Sequence, residues 1–364
     1  MGAAFFFRRR EPRFPWREEG LEGMKTRLVI LALVVFGSGT AVCLAGTFPS
    51  DPYYGRYQWY GPVIGLPAAW NISTGSPSVT VAVLDTGVMA DTPDLAGRVL
   101  DPLSATGTEP LDGTDNHHGT WVASVVGMGV NNGIGGAGVG NFTILPVTVT
   151  NTGGGNMSEW IAAGIRLAAD SGAKVINISQ LTLQYGLLDD AAAYARSKGA
   201  LTFVAAGNFN MRYVMPDYAN LVFVSGTDSS DQRWSEGTEG SSWGPFVDLS
   251  APADNIVVAD PTLGSGYGLG HGTSFASPLA AGAAALVWSI NPDLAPDEVL
   301  SILYTTADDL GPVGRDEVYG NGRINIGRAA GRAYQMTLTP EPGTLVLLGM
   351  GLAASVARCI GRRP

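Results

Sequence analysis

Stretches of β-branched and apolar residues alternate along the chain with segments that have helical spacing. The strand-like stretches lie at 79–84, 143–149, 174–179, 201–206 and 221–224, and the helix-like segments lie at 160–169, 188–197 and 275–290. A short, continuous apolar run is typical of a strand buried on both faces, and strands that alternate with helices form a parallel sheet covered on both sides. The sequence therefore predicts an α/β fold in three layers, with a doubly wound and mostly parallel sheet.

The acidic balance of the chain and its few cysteines exclude some functions. The formal net charge is -10, and residues 47–340 hold 12 basic and 27 acidic residues, so we expect no nucleic-acid partner. The only cysteines are Cys43 and Cys359, which lie close to the two ends. The central part is therefore expected to hold neither a disulfide nor a thiolate metal site.

The N-terminal part has the layout of a secretory signal peptide. Lys25 and Arg27 precede an apolar run at 28–36, and small residues end at Ala45, where we predict cleavage. Translation is predicted to start at Met24, because the preceding arginine-rich stretch does not fit a signal. An uncleaved anchor helix is the alternative. We predict a targeting region at 1–45 and a single folded domain at 46–335.

The C-terminal part, 336–364, is predicted to be a spacer and a sorting tail. Pro340-Glu341-Pro342 precedes an apolar run at 343–357 and three arginines, and the run is short for a membrane span. This layout resembles the PEP-CTERM sorting signal, with a simple membrane tail as the alternative. The resemblance implies a Gram-negative bacterium, secretion or attachment to the cell surface, and two partners, the export machinery and an exosortase-type processing enzyme.

Four polar residues lie where loops follow strands or begin helices. Asp85 follows a strand-like run, His118 is one of three histidines, Asn208 follows another strand and Ser274 begins a long apolar helix. Loops beyond the carboxyl ends of parallel strands are where α/β proteins place their chemistry. Taken singly, each residue has an ordinary alternative: a turn aspartate, a structural histidine, a turn asparagine or a helix-capping serine.

The four segments together resemble the subtilisin-like serine peptidases, in particular the thermitase-like branch. They read Asp85-Thr86-Gly87, His118-Gly119-Thr120, Gly207-Asn208 and Gly272-Thr273-Ser274, and the similarity extends from residue 51 to 325. The resemblance implies a subtilisin-like fold with Ser274 as nucleophile and His118 as general base. It further implies that Asp85 orients His118, and that Asn208 and the Ser274 N–H bind the oxyanion.

The same resemblance implies a structural Ca²⁺ site and a strand-like substrate cleft. The implied calcium ligands are Asp51, Asp94, Val130, Asn132, Ile134 and Gly136. The alternative for 130–136 is a glycine-rich turn without metal. The implied substrate-binding residues are Gly153, Gly154, Gly155, Ser179, Gln180, Leu181, Ala206 and Gly207. The family usually has Ser-Leu-Gly-Gly where this chain has Ser-Gln-Leu-Thr at 179–182, so we expect an altered specificity pocket.

The sequence thus predicts a secreted serine endopeptidase that cleaves protein or peptide substrates through an acyl-enzyme, and we expect a monomer. One alternative is a catalytically inactive, peptidase-like binding protein on the cell surface. Another is an esterase or lipase, but that fold needs a nucleophilic serine that lies in a Gly-x-Ser-x-Gly elbow and precedes the histidine, and Ser274 neither lies in such an elbow nor precedes His118.

Overall fold

The computed structural model describes residues 49–114, 116–150, 157–180, 182 and 184–338. These residues belong to the second of two compact units, which spans 48–364. The predicted signal peptide and the apolar tail lie outside the described residues. The domain boundaries stay predictions.

Helices and strands alternate through the described chain. The helices are α1 Tyr54–Tyr57, α2 Tyr60–Val63, α3 Leu66–Trp70, α4 His118–Gly127, α5 Met157–Asp170, α6 Tyr185–Ser197, α7 Thr273–Ile290, α8 Pro296–Thr306 and α9 Ile326–Leu338. The strands are β1 Thr80–Asp85, β2 Leu103–Ser104, β3 Thr143–Thr148, β4 Val175–Ile178, β5 Leu201–Ala205, β6 Leu221–Thr227, β7 Ser235–Glu236, β8 Glu239–Gly240, β9 Leu249–Pro252, β10 Ile256–Ala259 and β11 Tyr267–Gly270.

Seven of these strands form one sheet, in the order β2-β3-β1-β4-β5-β6-β9, and every neighbouring pair is parallel. The antiparallel hairpins β7–β8 and β10–β11 lie outside this sheet. The predicted α/β fold with a mostly parallel sheet is confirmed. Because all strands of the sheet run the same way, Asp85, Ser179 and Ala206 leave it at one edge.

Alternate side chains of each strand pack into cores on opposite faces of the sheet. In β1, Val81 and Val83 join the core formed with α4, α7 and α9, while Ala82 and Leu84 join the core formed with α5 and α6. This division explains why β1 reads as a continuous apolar run, since both of its faces are buried.

Helix α7 lies inside the protein and carries Ser274 in its first turn. Small residues let it pack closely: a Cβ at Gly282 would lie 2.6 Å from Val139. Among the described residues, α7 is long and apolar enough to cross a membrane, but 89% of that window is buried in the protein. It is therefore the core helix of the fold, and it holds the nucleophile candidate against the sheet.

Candidate active site

Asp85 and His118 form a buried pair at the carboxyl edge of the sheet. His118 Nδ1 lies 2.8 Å from Asp85 Oδ1 and 3.0 Å from Oδ2. Asp85 is 0% exposed and His118 is 7% exposed, so bulk water does not compete for this contact. The Asp85 carboxylate requires a proton on Nδ1 of the neutral ring, which leaves Nε2 able to accept another proton.

Neighbouring backbone and hydroxyl groups fix this pair. The Thr86 N–H donates to Asp85 Oδ1 at 2.8 Å, and the Gly119 N–H donates to Thr86 Oγ1 at 3.0 Å. A Cβ at Gly119 would lie 2.2 Å from the Gly87 carbonyl oxygen, so only glycine permits this approach of α4 to β1. The loop after β1 and the start of α4 therefore form one packed unit around the pair.

Ser274 lies in the first turn of α7 and contacts the loop after β4. Its Oγ lies 3.4 Å from the Ser179 carbonyl oxygen, and the Ser179 hydroxyl donates to the Ser274 carbonyl oxygen at 2.8 Å. Pro278 explains why that carbonyl is available: in a regular helix it would accept from the N–H of residue 278, and proline has none. The proline within α7 thus lets Ser179 bind the serine turn.

A buried chain of polar side chains supports the same turn. Ser277 Oγ donates to Asn177 Oδ1 at 2.7 Å, and Asn177 Nδ2 donates to Ser179 Oγ at 3.1 Å. These residues link β4 to α7 beneath Ser274. Sequence reasoning missed Asn177, although a polar residue in an otherwise apolar strand was a signal, because a buried amide requires partners.

Asn208 is held by the residue that precedes Ser274. Its Oδ1 accepts from the Thr273 N–H at 2.9 Å and from Thr273 Oγ1 at 2.8 Å. Within the described residues its Nδ2 donates no hydrogen bond, and Nδ2 would lie 2.7 Å from a Cβ at Gly272. The amide therefore keeps a free donor beside the start of α7, where the Ser274 N–H also lacks a helical partner.

Gln180 occupies an unexpected place. It was expected to bind substrate, but its side chain is buried, and its Nε2 donates to Asp85 Oδ1 at 2.9 Å and lies 3.3 Å from His118 Nδ1. Ser179 and Gln180 are adjacent, so one dipeptide contacts both Ser274 and the Asp85–His118 pair. The rings of His118 and Phe275, the residue after Ser274, also lie 6.3 Å apart between centroids.

The remaining predicted substrate residues are described in part. Ala206 and Gly207 follow β5, and the Gly207 N–H donates to Thr273 Oγ1 at 3.0 Å. This bond places the segment beside the start of α7. Gly153, Gly154, Gly155 and Leu181 lie outside the described residues.

The predicted calcium ligands meet in a second cluster. Asp51 and Asp94 are 3% and 0% exposed, and both contact the loop at 130–136: Asp51 accepts from the Asn132 N–H at 2.9 Å, and Asp94 accepts from Asn132 Nδ2 at 2.7 Å. Burial raises the pKa of both carboxyl groups, and the Asp51 charge raises the pKa of Asp94 further. Two buried carboxylates that interact unfavourably in this way favour a bound cation.

The loop itself offers oxygen atoms that suit a hard cation. Among the described residues, the carbonyl oxygens of Val130, Ile134 and Gly136 accept no hydrogen bond. The guanidinium of Arg98 donates to the Asp94 main-chain carbonyl rather than to its carboxylate. Carboxylate, amide and main-chain carbonyl oxygens are the donor set that Ca²⁺ requires, so these residues fit the ion.

Comparisons with known proteins agree with both resemblances seen in the sequence. A model of the subtilase family matches residues 76–322, and a model of the PEP-CTERM protein-sorting motif matches residues 338–363. The sorting motif indicates that the protein is exported. The predicted resemblances to subtilisin-like peptidases and to the PEP-CTERM signal are therefore confirmed.

Individual relatives cover most of the chain. Thermitase from Thermoactinomyces vulgaris is 36% identical over 286 residues, which are 77% of this chain and 98% of thermitase. A thermophilic serine proteinase from Bacillus sp. strain AK1 is 35% identical over 80% of this chain and 72% of its own length. A solved protease structure from Pseudoalteromonas arctica PAMC 21717 has a TM-score of 0.66 at 29% identity, covering 79% of this chain and all of that one. The chain therefore belongs to the subtilase family and is a serine-type endopeptidase, a hydrolase of peptide bonds.

Proposed function

We propose that the chain cleaves exported or extracellular proteins with a catalytic triad of Ser274, His118 and Asp85. The observation that carries this proposal is the buried contact of 2.8 Å between Asp85 and His118, beside the helix turn that holds Ser274. The peptidase-like binding protein weighed as an alternative has no support from the relatives, whose names are thermitase and thermophilic serine proteinase.

The first step forms an acyl-enzyme. Ser274 Oγ attacks the scissile carbonyl carbon while His118 Nε2 takes the hydroxyl proton, and the carbonyl π electrons move onto the oxygen. Asp85 stabilises the imidazolium that results, because its carboxylate already accepts the Nδ1 proton. When the intermediate collapses, the C–N bond breaks and His118 returns the proton to the leaving amine.

Asn208 Nδ2 and the Ser274 N–H bind the oxyanion of this intermediate. Thr273 fixes Asn208 through Oδ1, so Nδ2 is oriented before substrate arrives. Donors that need no reorganisation stabilise developing charge more than water does. Water then attacks the acyl-enzyme with His118 again as base, which releases the second product and restores Ser274.

Substrate is proposed to bind as an extended strand between residues 153–155 and 179–182, with Ala206 and Gly207 at the bottom of the cleft. The side chain of Gln180 points at the triad, so only its main chain is available to the substrate strand. Residues 179–182 differ from the usual Ser-Leu-Gly-Gly pattern, and this difference therefore affects both the specificity pocket and the pair of Asp85 and His118.

A fluorophosphonate probe tests the triad directly, because it labels only an activated serine. The full-length protein should be labelled, and Ser274→Ala should abolish both labelling and peptide hydrolysis. Ser289→Ala, near the other end of α7, is the matched control and should retain both. Labelling that persists in folded Ser274→Ala would refute the assignment, and so would a wild-type protein that hydrolyses peptides but resists the probe.

Ca²⁺ is proposed to stabilise the fold at the second cluster. Asp51, Asp94, the Asn132 amide and the carbonyls of Val130, Ile134 and Gly136 would hold it, and it would neutralise the two buried carboxylates. The ion takes no part in the reaction, since this cluster is distinct from the triad.

The terminal segments are proposed to direct the enzyme, a monomer, to the surface or surroundings of a Gram-negative cell. An exosortase-type enzyme would cleave the tail that carries the sorting motif at 338–363. Mass spectrometry of the mature protein tests this, because processing at both ends should leave a fragment close to 46–335. An intact mature protein would contradict the proposed processing and leave the catalytic assignment untouched.

A further inference from the structure

Three side chains that bear metal-binding atoms meet beside the start of α7. Glu236 lies on β7, Asp254 lies in the turn between β9 and β10, and His271 lies between β11 and α7. One ligand atom from each residue lies within 4.8 Å of the corresponding atom of the other two. Neither the proposed catalysis nor the calcium cluster uses these residues.

The imidazole of His271 presents a nitrogen that the described protein does not satisfy. The side chain is 39% exposed, but its Nδ1 atom is shielded from solvent and has no hydrogen-bond partner among the described residues. Asp254 Oδ1 faces this nitrogen at 3.9 Å, which is too long for a hydrogen bond. A buried polar atom without a partner is rare, and a bound ion is one of the ordinary explanations for it.

The segments around the site are held by contacts of their own. Asn255 Nδ2 donates to Asp254 Oδ2 at 2.9 Å, which turns Oδ1 toward His271, and Trp59 Nε1 donates to the Asp254 carbonyl at 3.0 Å. The Gly272 N–H donates to the Ala253 carbonyl at 2.8 Å, so the chains next to Asp254 and His271 are joined directly. Glu236 lies on the exposed hairpin and supplies the third ligand.

From this geometry we infer that Glu236, Asp254 and His271 form a binding site for a divalent transition-metal ion of the zinc class. One imidazole nitrogen and two carboxylate oxygens suit Zn²⁺ and exclude Ca²⁺ as the preferred ion, since calcium takes oxygen ligands. Ligands about 2.1 Å from one zinc ion lie roughly 3.4 Å apart, so small side-chain rotations close the site. Three protein ligands leave a fourth position for water or an outside group.

The site adjoins the catalytic centre. His271 precedes Gly272, the N-cap of α7, and Gly272 packs on the Asn208 amide. A metal ion bound by His271 would therefore lie close to the start of α7, because His271 is three residues before Ser274. None of its ligands belongs to the triad. The inference rests on the position of these residues and holds whether or not Ser274 is the nucleophile.

Zn²⁺ titration of the full chain tests the inference. The chain carries Ser274→Ala to prevent self-cleavage, and calorimetry is run with Ca²⁺ in excess so that the calcium cluster does not compete. We expect one Zn²⁺ per chain. His271→Asn, Asp254→Asn and Glu236→Gln should each weaken binding by at least about tenfold, because each removes a ligand.

Matched controls separate this site from others. Glu239 faces Glu236 across the β7–β8 hairpin, so Glu239→Gln changes the charge equally and should leave Zn²⁺ affinity unchanged, as should His117→Asn. Co²⁺ provides a second readout, since its tetrahedral absorption should vanish in His271→Asn. The inference is overturned if no Zn²⁺ binds, if the three ligand variants bind as the parent does, or if only His118→Ala abolishes binding.

Discussion

The proposed catalytic centre and the proposed calcium cluster both gather residues that are far apart in sequence, but the charges of their buried carboxylates are compensated differently. At the catalytic centre, the Asp85 carboxylate is surrounded by neutral or titratable donors from Thr86, His118 and Gln180. At the calcium cluster, Asp51 and Asp94 lie close enough for one charge to raise the pKa of the other. The charge of Asp85 is therefore compensated by groups of the chain itself, whereas the charges of Asp51 and Asp94 favour the binding of a cation.

The difference follows from the kind of structure that holds the residues: helices and strands at the first site, and a loop at the second. Asp85 ends a strand and His118 begins a helix, so regular elements place them before any ligand binds. Residues 130–136 form a loop outside the helices and strands, and its position depends on contacts with Asp51 and Asp94. We therefore expect substitutions at the first site to affect rate while the fold persists, and substitutions at the second to affect stability.

Asp85→Asn should have the largest effect on rate. The amide can no longer stabilise the imidazolium or enforce the tautomer with a proton on Nδ1, and kcat should fall by about 10⁴-fold. Steady-state hydrolysis of a chromogenic peptide measures the fall, and thermal unfolding in Ca²⁺ should change little. A loss of folding that matches the loss of activity would break the distinction between the two regions.

Asn208→Ala should lower kcat by about 10²–10³-fold with little change in KM, because the lost donor acts on the oxyanion and not on the bound substrate. Asn220→Ala, in a surface contact with Asp189, is the matched asparagine control and should leave kcat unchanged. If Asn208→Ala raised KM and left kcat intact, Asn208 would bind substrate and not the oxyanion.

Removal of calcium should act on stability. At free Ca²⁺ near 1,000 times the dissociation constant, binding contributes about 4 kcal/mol, so an excess of chelator should lower the Tm by roughly 10 °C. Ser274→Ala is used as the parent to avoid self-digestion.

Asp94→Asn should abolish most of the chelator effect, whereas Asp91→Asn, three residues earlier and exposed, should preserve it. An equal chelator effect in both variants would show that the stabilising ion binds elsewhere. This result would not affect the proposed catalytic centre, and it would contradict only the proposed calcium cluster.

The sequence predicted the sheet from strong local patterns, whereas the pairing of Asp85 with His118 was implied only by the family resemblance. Apolar runs placed β1, β4 and β5, and parallel strands end at one edge, so Asp85 and Asn208 both lie at that edge. Helix ends were predicted less well: α6 begins at Tyr185, three residues before the predicted start, because its first turn includes a glycine and polar flanks that weaken the periodic signal.

The cluster of Glu236, Asp254 and His271 could not be predicted from patterns. It depends on the register of hairpins whose strands have two or four residues, too short to show alternation. The orientation of Gln180 was missed for another reason. Sequence fixes the position of a residue on a loop, but the direction of its side chain depends on packing around it.

Gln180→Leu is expected to have the smallest effect on kcat of these variants. It tests whether Gln180 contributes to the proposed catalytic centre. The amide N–H group donates to Asp85 Oδ1 and lies beside His118 Nδ1, so it helps to hold the carboxylate in the orientation that contacts His118. Its removal should lower kcat by less than about tenfold, because the Thr86 N–H and His118 still hold the carboxylate. Gln180→Glu keeps the length of the side chain but replaces the donor with a second carboxylate beside Asp85, so it should lower kcat further. A kcat that stays unchanged in both variants would mean that Gln180 only fills space at the triad, and that Thr86 and His118 alone compensate the Asp85 charge.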